Sequence, residues 1–510
     1  MKTGWMLVMF AMSLMLSCNS ANKDQEGSVI NIYPDQVIGE NFIGNGVQWS
    51  AYPHADASTA EWGNIMTDAK WDTLYSRLDY MKPQFIRIFD MAEWRYFRGL
   101  DENGTPINDF DSEEVQSLFK ILDYCQKNNI TVLFGEIGSA IDPKSDANDL
   151  KWIQMIVDYL NFLIIDKGYT CIKIYDLVNE PNGYWSSADG NWEEWKSGIK
   201  RLDSAFKSNK LDRYIATSGP GSVPQFDNEK SEVKGSEWLP KSVDELNDQI
   251  GYYDVHAYVD QAAIRNGTYL DYLSVTGVMD KVNATGKPFF LGELGLKEWG
   301  GETKARNDQR IKDDPHASDD SNMRVYDFDY GVDLVDATIQ GMNAGVDGVV
   351  VWDLDDAMHT LGDTGDTTKL KRWGFWNILG TEICGNPRDE EIRPGYYPWS
   401  WMCKYFPNGS TILRSDTTGF DKVRLTAARY GDDYSVALVN NSNRNQAISV
   451  NLNYDSQMDL NSYGYYPDQF NQQENQLTIV SEVRTSVALN EPMSVHLPAG
   501  SVVVLTTINY

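Results

Sequence analysis

Ile172-Lys173-Ile174-Tyr175-Asp176-Leu177-Val178-Asn179-Glu180-Pro181 is the stretch on which the fold turns. An apolar run of strand length that stops at a carboxylate and a proline reads as a buried strand delivering an acid to a loop mouth. Working outward, similar short apolar runs occur at 42–47, 85–89, 130–134, 214–217, 252–258, 288–293 and 346–352. Helical faces lie between most of them. Val115, Leu118, Phe119, Leu122 and Cys125 line one, Trp152, Ile153, Ile156, Val157 and Leu160 a second, and Trp192, Trp195, Ile199, Leu202 and Phe206 a third. Eight strands alternating with helices predict a (β/α)8 TIM barrel, lengthened by the polar insertions 219–249, 297–327 and 353–393. A doubly wound open sheet would carry a Gly-rich phosphate turn after its first strand, and Gly44-Asn45-Gly46 lacks the third glycine and the helix that should follow.

After about residue 408 the period changes to two. Val423 to Ala427 and Tyr434 to Val439 flank Gly431-Asp432-Asp433, a hairpin signal, and further short strands follow without helices, which predicts a β-sandwich. The expected division is 1–18 signal, 19–28 tether, 29–407 barrel and 408–510 sandwich, with 29–37 an alternating segment that could pair with the sandwich instead.

The 510 residues are 42% hydrophobic and 23% charged, enough to bury a large core. A formal charge of -30 repels phosphate backbones and anionic lipid heads, so nucleic acid is excluded as a partner. Met1-Lys2, the apolar run 5–16 and Ser17-Cys18 have the form of a bacterial lipoprotein signal, with Cys18 as the lipidated residue and the cell envelope as the address. On this reading the chain meets a membrane only through that anchor. The spacing of Cys125, Cys171, Cys384 and Cys403 matches no zinc pattern; buried thiols are expected, with a bridge between Cys384 and Cys403 left open. The five histidines are scattered, so neither a metal site nor a cofactor is expected.

In a barrel, chemistry sits where the strands end. Those ends supply Arg87, Glu136, Asn179 with Glu180, His256 with Tyr258, Glu293 and Trp352. Trp49, Tyr52, Trp94, Tyr184, Trp185, Trp299, Trp373 and Trp376 fall in the adjoining loops, where some should line sugar subsites, since aromatic faces suit sugar rings. Glu180 and Glu293 end the fourth and seventh strands. Two carboxyls opposed across an aromatic pocket are what glycosidic cleavage requires, one to protonate the leaving oxygen and one to attack the sugar carbon. Arg87 could instead pair with Asp90 or Glu93, and His256 could be a satisfied core histidine.

Taken together, Asn179-Glu180-Pro181, Glu293 in Phe-Leu-Gly-Glu, Arg87, His256-Ala-Tyr258 and Trp352 resemble the clan A glycoside hydrolases, the retaining cellulase-like barrels. The resemblance covers roughly residues 42–406. It implies Glu180 as general acid/base and Glu293 as nucleophile, acting on a β-linked poly- or oligosaccharide by double displacement. Arg87 and Tyr258 would keep Glu293 ionised, Asn179 would bind the sugar 2-hydroxyl, and His256 would position the acid/base side or a hydroxyl. Glu136 is expected to contact a substrate hydroxyl or Arg87, with Trp352 and Trp49 as further substrate contacts. A non-catalytic glycan-binding lipoprotein and a transglycosylase using the same residues are the alternatives.

Overall fold

The computed structural model describes residues 29–50, 52, 66–136, 138, 146–275, 277–358, 368–471 and 476–510. The signal, Cys18 and the tether lie outside the described residues. After an initial strand β1 (Val29–Gly39) come β2 (Gly44–Gln48), β3 (Phe85–Asp90), β4 (Thr131–Glu136), β5 (Ile172–Asp176), β6 (Ala216–Ser222), β7 (Ile250–Val259), β8 (Phe289–Leu296) and β9 (Gly348–Val351). β2 to β9 close into one barrel, each strand parallel to its neighbour in chain order. The sequence pattern follows from that closure. Each strand is covered by helices outside and filled by side chains inside, so it has no solvated face and reads as an apolar run.

The covering helices include Asp68–Met81, Glu113–Lys127, Leu150–Leu160, Trp192–Asn209 and Phe328–Asn343. Ser112 and Asn191 cap two of them, accepting from the Val115 and Glu194 amides. Between β7 and β8 lie the short helices Asp271–Val275 and Val278–Thr285, with Gly277 between them at φ +61°. The insertion 297–327 carries a helix of its own, Gly301–Asp313, which its polar sequence concealed.

Inside the barrel, Phe85, Leu133, Ile174, Phe290 and Val350 form an apolar plug, with Phe85 and Phe290 edge to face at 5.1 Å. Strand alternation then lifts polar residues above it. On β3 Arg87 follows Phe85, on β5 Asp176 follows Ile174, and on β7 Asp254, His256 and Tyr258 follow Tyr252, two residues apart each time.

The second domain is built from β10 (Thr411–Ser415), β11 (Val423–Tyr430), β12 (Asp433–Asn440), β13 (Gln446–Asn451), β14 (Gln457–Tyr465), β15 (Val480–Ala488), β16 (Met493–Leu497) and β17 (Ser501–Thr506). Their order is β15-β14-β17-β12-β11-β10-β1-β13-β16. β1 is the corner: residues Ile32 to Gly39 pair antiparallel with β10, while Val29 to Asn31 pair parallel with β13. The opening strand therefore belongs to this domain. β12 and β17 are buried on both faces. Val436, Leu438, Val503 and Leu505 point into the sandwich, and Ala437, Val439, Val502 and Val504 join the core cluster that includes the barrel.

Helix Phe328–Asn343 lies under that outer face and carries two wholly buried carboxylates. Asp333 meets Arg265 and Arg324, and Asp336 takes both oxygens to the guanidinium of Arg424 on β11 at 2.8 Å. Asn441 donates to both aspartates. A charge-paired seam thus crosses the joint between the domains. All four cysteines among the described residues are free, so the bridge left open between Cys384 and Cys403 is not made.

Candidate active site

Glu293 reaches the barrel mouth through a defect in pairing. Against β7, Leu291 partners Val255 and Glu293 partners His256, so Gly292 is an extra residue on β8. Without this bulge, alternation from the inward Phe290 would turn Glu293 outward; with it the carboxylate faces the pocket. A Cβ at Gly292 would stand 3.0 Å from Asp254 Oδ2 and 3.2 Å from His256 Nε2, so a larger residue would crowd both side chains.

Four N–H or O–H groups converge on the two carboxylates. The Arg87 guanidinium donates to Glu293 Oε1 and, at 2.8 Å, to Asn179 Oδ1. The Tyr258 hydroxyl donates to Glu293 Oε2 at 2.5 Å. His256 Nδ1 stands 2.9 Å from Glu180 Oε1 and 3.6 Å from Glu293 Oε2. The indole N–H of Trp185 donates to Glu180 Oε2 at 2.6 Å. Oxygens of Glu180 and Glu293 lie within 4.8 Å of each other, with Glu180 held in the left-handed region at φ +48°.

Burial by itself would raise the pKa of Glu293, but the adjacent His256, the Arg87 charge and the bonds from Tyr258 and Arg87 outweigh it and hold the carboxyl below its ordinary value. Burial likewise opposes charge on His256. Glu293 and the bond to Glu180 overcome it, so the imidazole lies above its ordinary value. Beneath them Asp176 and Asp254 share a glycine-lined hollow, 3.1 and 3.4 Å from a Cβ built on Gly221. Burial and the Asp254 charge push Asp176 up to about 8, and burial pushes Asp254 to about 6. Both aspartates were missed in the sequence, although their inward parity on β5 and β7 marked them.

Glu180, His256 and Glu293 each bring a donor atom within a spacing that a small cation would accept. Both oxygens of Glu293 already accept from Arg87 and Tyr258, so a cation there would compete with the guanidinium charge and the hydroxyl. The geometry suits an anionic nucleophile held between proton donors better than a metal ligand.

Two expected substrate contacts are placed elsewhere. Glu136 is buried with its oxygens accepting from the Tyr96 hydroxyl and the Ala92 amide, at 3.1 Å each, rather than meeting Arg87 or the mouth. Burial and Asp90 push its carboxyl up to about 8. Trp49 is 0% exposed, edge-on to Tyr124; it is core, not a subsite. Trp373 and Trp376 are also buried, Trp376 donating to Asp355. Trp352 follows β9 directly and packs against Phe89, 8% exposed, and its peptide to Asp353 is cis. Of the loop aromatics expected at the mouth, Tyr184, Trp185 and Trp299 are exposed. Trp185 packs on Phe226 at 4.7 Å, and Trp299 donates to the Tyr258 carbonyl at 3.0 Å. The insertion 353–393 is less polar in effect than in sequence: among its described residues Asp356 pairs with Arg393 and Arg372, tying the segment to itself.

The sequence of residues 43–314 matches the model of the cellulase family, glycosyl hydrolase family 5. No curated protein gives a significant match. Among solved structures, a GH30 endoxylanase from Clostridium papyrosolvens superposes with a TM-score of 0.57 at 12% identity, over 94% of this chain and 100% of that one. A GH39 β-xylosidase from Caulobacter crescentus gives 0.58 at 13%, again over 94% and 100%. A conserved exported protein from Bacteroides fragilis gives 0.60 at 13%, with the same coverage. Likeness at these identities is a likeness of fold.

Proposed function

The chain belongs to the cellulase family, glycosyl hydrolase family 5, and is a glycosidase; from that premise we propose that it cleaves β-glycosidic bonds of a poly- or oligosaccharide with retention at the anomeric carbon. The observation that carries this reading is the short gap between Glu180 and Glu293, within 4.8 Å oxygen to oxygen. Retaining enzymes hold their carboxyls about 5–5.5 Å apart, whereas inverting enzymes need room for a water between them.

The roles follow from the contacts. Glu293, kept anionic by Arg87 and Tyr258, attacks the anomeric carbon as Glu180 gives its proton to the departing oxygen. The glycosyl-enzyme is neutral at Glu293, and Glu180, now ionised, takes a proton from the water that attacks the same carbon. Asn179, oriented by Arg87, is placed for the sugar 2-hydroxyl. His256, between the two glutamates, fixes both. Trp299 and Trp185, on the nucleophile and acid sides, offer sugar platforms. The xylan-active neighbours make β-xylan a reasonable first substrate beside β-glucan and β-mannan.

The test is a panel of those polymers and of aryl β-glycosides, with the anomer of the first product read by NMR. A first product of inverted configuration refutes the double displacement, and wild-type turnover by Glu293→Gln refutes the nucleophile. Glu180→Gln should lose about 10²- to 10⁴-fold on glycosides with poor leaving groups and far less on dinitrophenyl glycosides. A transglycosylase would instead divert product to an added sugar acceptor. A binding protein would turn over nothing.

The export reading is a proposal from the sequence alone. Among the described residues no helix is long and apolar enough to cross a membrane. Loss of membrane-associated protein in Cys18→Ala would support the lipid anchor, and unchanged fractionation would oppose it.

A further inference from the structure

Tyr184 and Trp185 stand on the loop just past β5 and are 67% and 44% exposed. Phe226, half-buried, comes from the insertion that follows β6. Its ring lies 4.7 Å from that of Trp185 and 5.8 Å from that of Tyr184, and those two meet edge to face at 4.9 Å. Contiguous exposed rings of this kind mark a binding surface. A buried side chain knits the two loops together. Asn182 donates to the carbonyls of Val223 and Phe226 at 2.9 and 3.0 Å and accepts from the Val223 amide at 3.0 Å. Its carboxamide thus uses both N–H groups and its oxygen on the strand of chain that carries Phe226. Ser231, in the same insertion, donates to the Gly190 carbonyl at 2.7 Å. A Cβ on Gly183 would fall 2.3 Å from the indole Cε2, so glycine there lets the indole lie against its own loop. The cluster has a direction, because the Trp185 N–H donates to Glu180 Oε2 at 2.6 Å. The rings therefore begin at the acid and continue outward, on the side where the leaving group departs.

We propose that Tyr184, Trp185 and Phe226 form one wall that binds the leaving-side sugars of a glycan chain, with Asn182 as the positioning residue that sets it, so that the enzyme prefers a leaving group of more than one sugar. The inference rests on the glycosidase reading above. Trp185 borders the first leaving sugar, since it touches Glu180, and Tyr184 and Phe226 lie beyond it to meet the next. Aromatic faces suit sugar rings. Contacts to a remote part of a substrate are available at the reacting bond. Here they keep the glycosidic oxygen against Glu180 while its bond to C1 breaks. The wall acts on the first step, when the departing sugars are present, and not on the second, when water attacks.

The experiment uses the full chain with Tyr184→Ala and Phe226→Ala, neither of which removes the donor to Glu180, and with Asn182→Ala, which keeps all three rings. The probes are the β-glycosyl fluoride of whichever panel sugar is turned over, which places no ring on the leaving side, and linear oligosaccharides of that sugar in increasing length. The quantity read is the ratio of kcat/KM on the oligosaccharide to kcat/KM on the fluoride. In wild type this ratio should rise as the chain lengthens on the leaving side. In Tyr184→Ala and Phe226→Ala it should fall about 3- to 10-fold, and Asn182→Ala should lower it in the same direction. A general loss of folded enzyme lowers both substrates together and leaves the ratio where it was. A ratio within about twofold of wild type in both ring variants overturns the wall while leaving the glycosidase reading intact, and the same result in Asn182→Ala overturns the role of Asn182. If wild-type protein cleaves nothing in the panel, the glycosidase reading fails separately. The wall is then decided by the indole ¹H–¹⁵N resonance missing from Trp185→Phe, which must shift when the panel oligosaccharides are added; a resonance that stays put overturns it.

Discussion

Replacing Tyr258 by phenylalanine removes one hydroxyl from the site and leaves the ring where it is, edge-on to Trp373 at 5.7 Å. That hydroxyl is the donor to Glu293 Oε2 at 2.5 Å, and Arg87 continues to hold the other oxygen. A hydrogen bond to a charged group contributes about 1.5–3 kcal/mol. One pH unit corresponds to about 1.4 kcal/mol, so the acid limb of kcat/KM, which follows ionisation of the nucleophile in the free enzyme, should move up by roughly 1–2 pH units. The alkaline limb should stay. The sign carries over to stability. Glu293 lies below its ordinary value of 4.5 in the folded chain, so its contribution is present above that pH and is lost as pH falls through the lower folded value. Tyr258→Phe should therefore unfold more easily than wild type at neutral pH, and the two should converge in acid. The assay is kcat/KM across the acid range on an activated aryl glycoside, paired with denaturant unfolding at two pH values. An unmoved acid limb with full activity at the plateau would refute this account of how Glu293 is kept ionised.

Other expectations follow from residues away from the reacting atoms. Glu136, pushed up to about 8, holds its proton in the folded chain where the unfolded chain releases it near 4.5, so stability should decline between those values; Glu136→Gln should flatten that decline in Tm against pH and leave kcat/KM nearly unchanged. A wild-type slope in the variant would mean that the pH acts elsewhere. Arg424→Met strands the buried Asp336 and should cost about 3–5 kcal/mol in urea unfolding, an outcome within experimental error of wild type counting against the seam. Trp299→Ala should raise KM on polysaccharide about 2- to 10-fold at constant kcat, and a change in kcat alone would remove Trp299 from binding.

The barrel was legible because a strand covered on both faces must be apolar, and eight such runs in order leave few other folds. The inward ladder on β7 was legible for the same reason that Asp254 could have been: every second residue from Tyr252 enters the barrel. Glu293 is different. Parity counted from Phe290 sends it outward, and the bulge at Gly292 that reverses this depends on pairing with β7, which no local pattern records. Trp49 and Trp299 look alike as loop tryptophans, yet one is wall and the other exposed, because the direction a loop takes is set by tertiary packing. Glu136 stopped a strand as cleanly as Glu180 did, but its neighbours Tyr96 and Tyr175 sealed it away. β14 gives little sequence signal, since it lies toward one side of the sheet and mixes Asp459, Asn461 and Gly464 with only a few apolar residues.

The place of β1 bears on how the polypeptide is made. Its partners β10 and β13 follow the entire barrel in the chain. During synthesis the strand leaves the ribosome first among the described elements and must wait, with open backbone donors and acceptors, until the barrel has been translated. A free strand edge is a template for pairing with the wrong chain. β1 carries Pro34 and Asp35 at its middle, where the register with β10 shifts between Tyr33 and Val37. A proline and a charge at that point interrupt the ladder that a neighbouring nascent chain would need. The same break that shifts the register of the finished strand against β10 would keep it unattached while it waits.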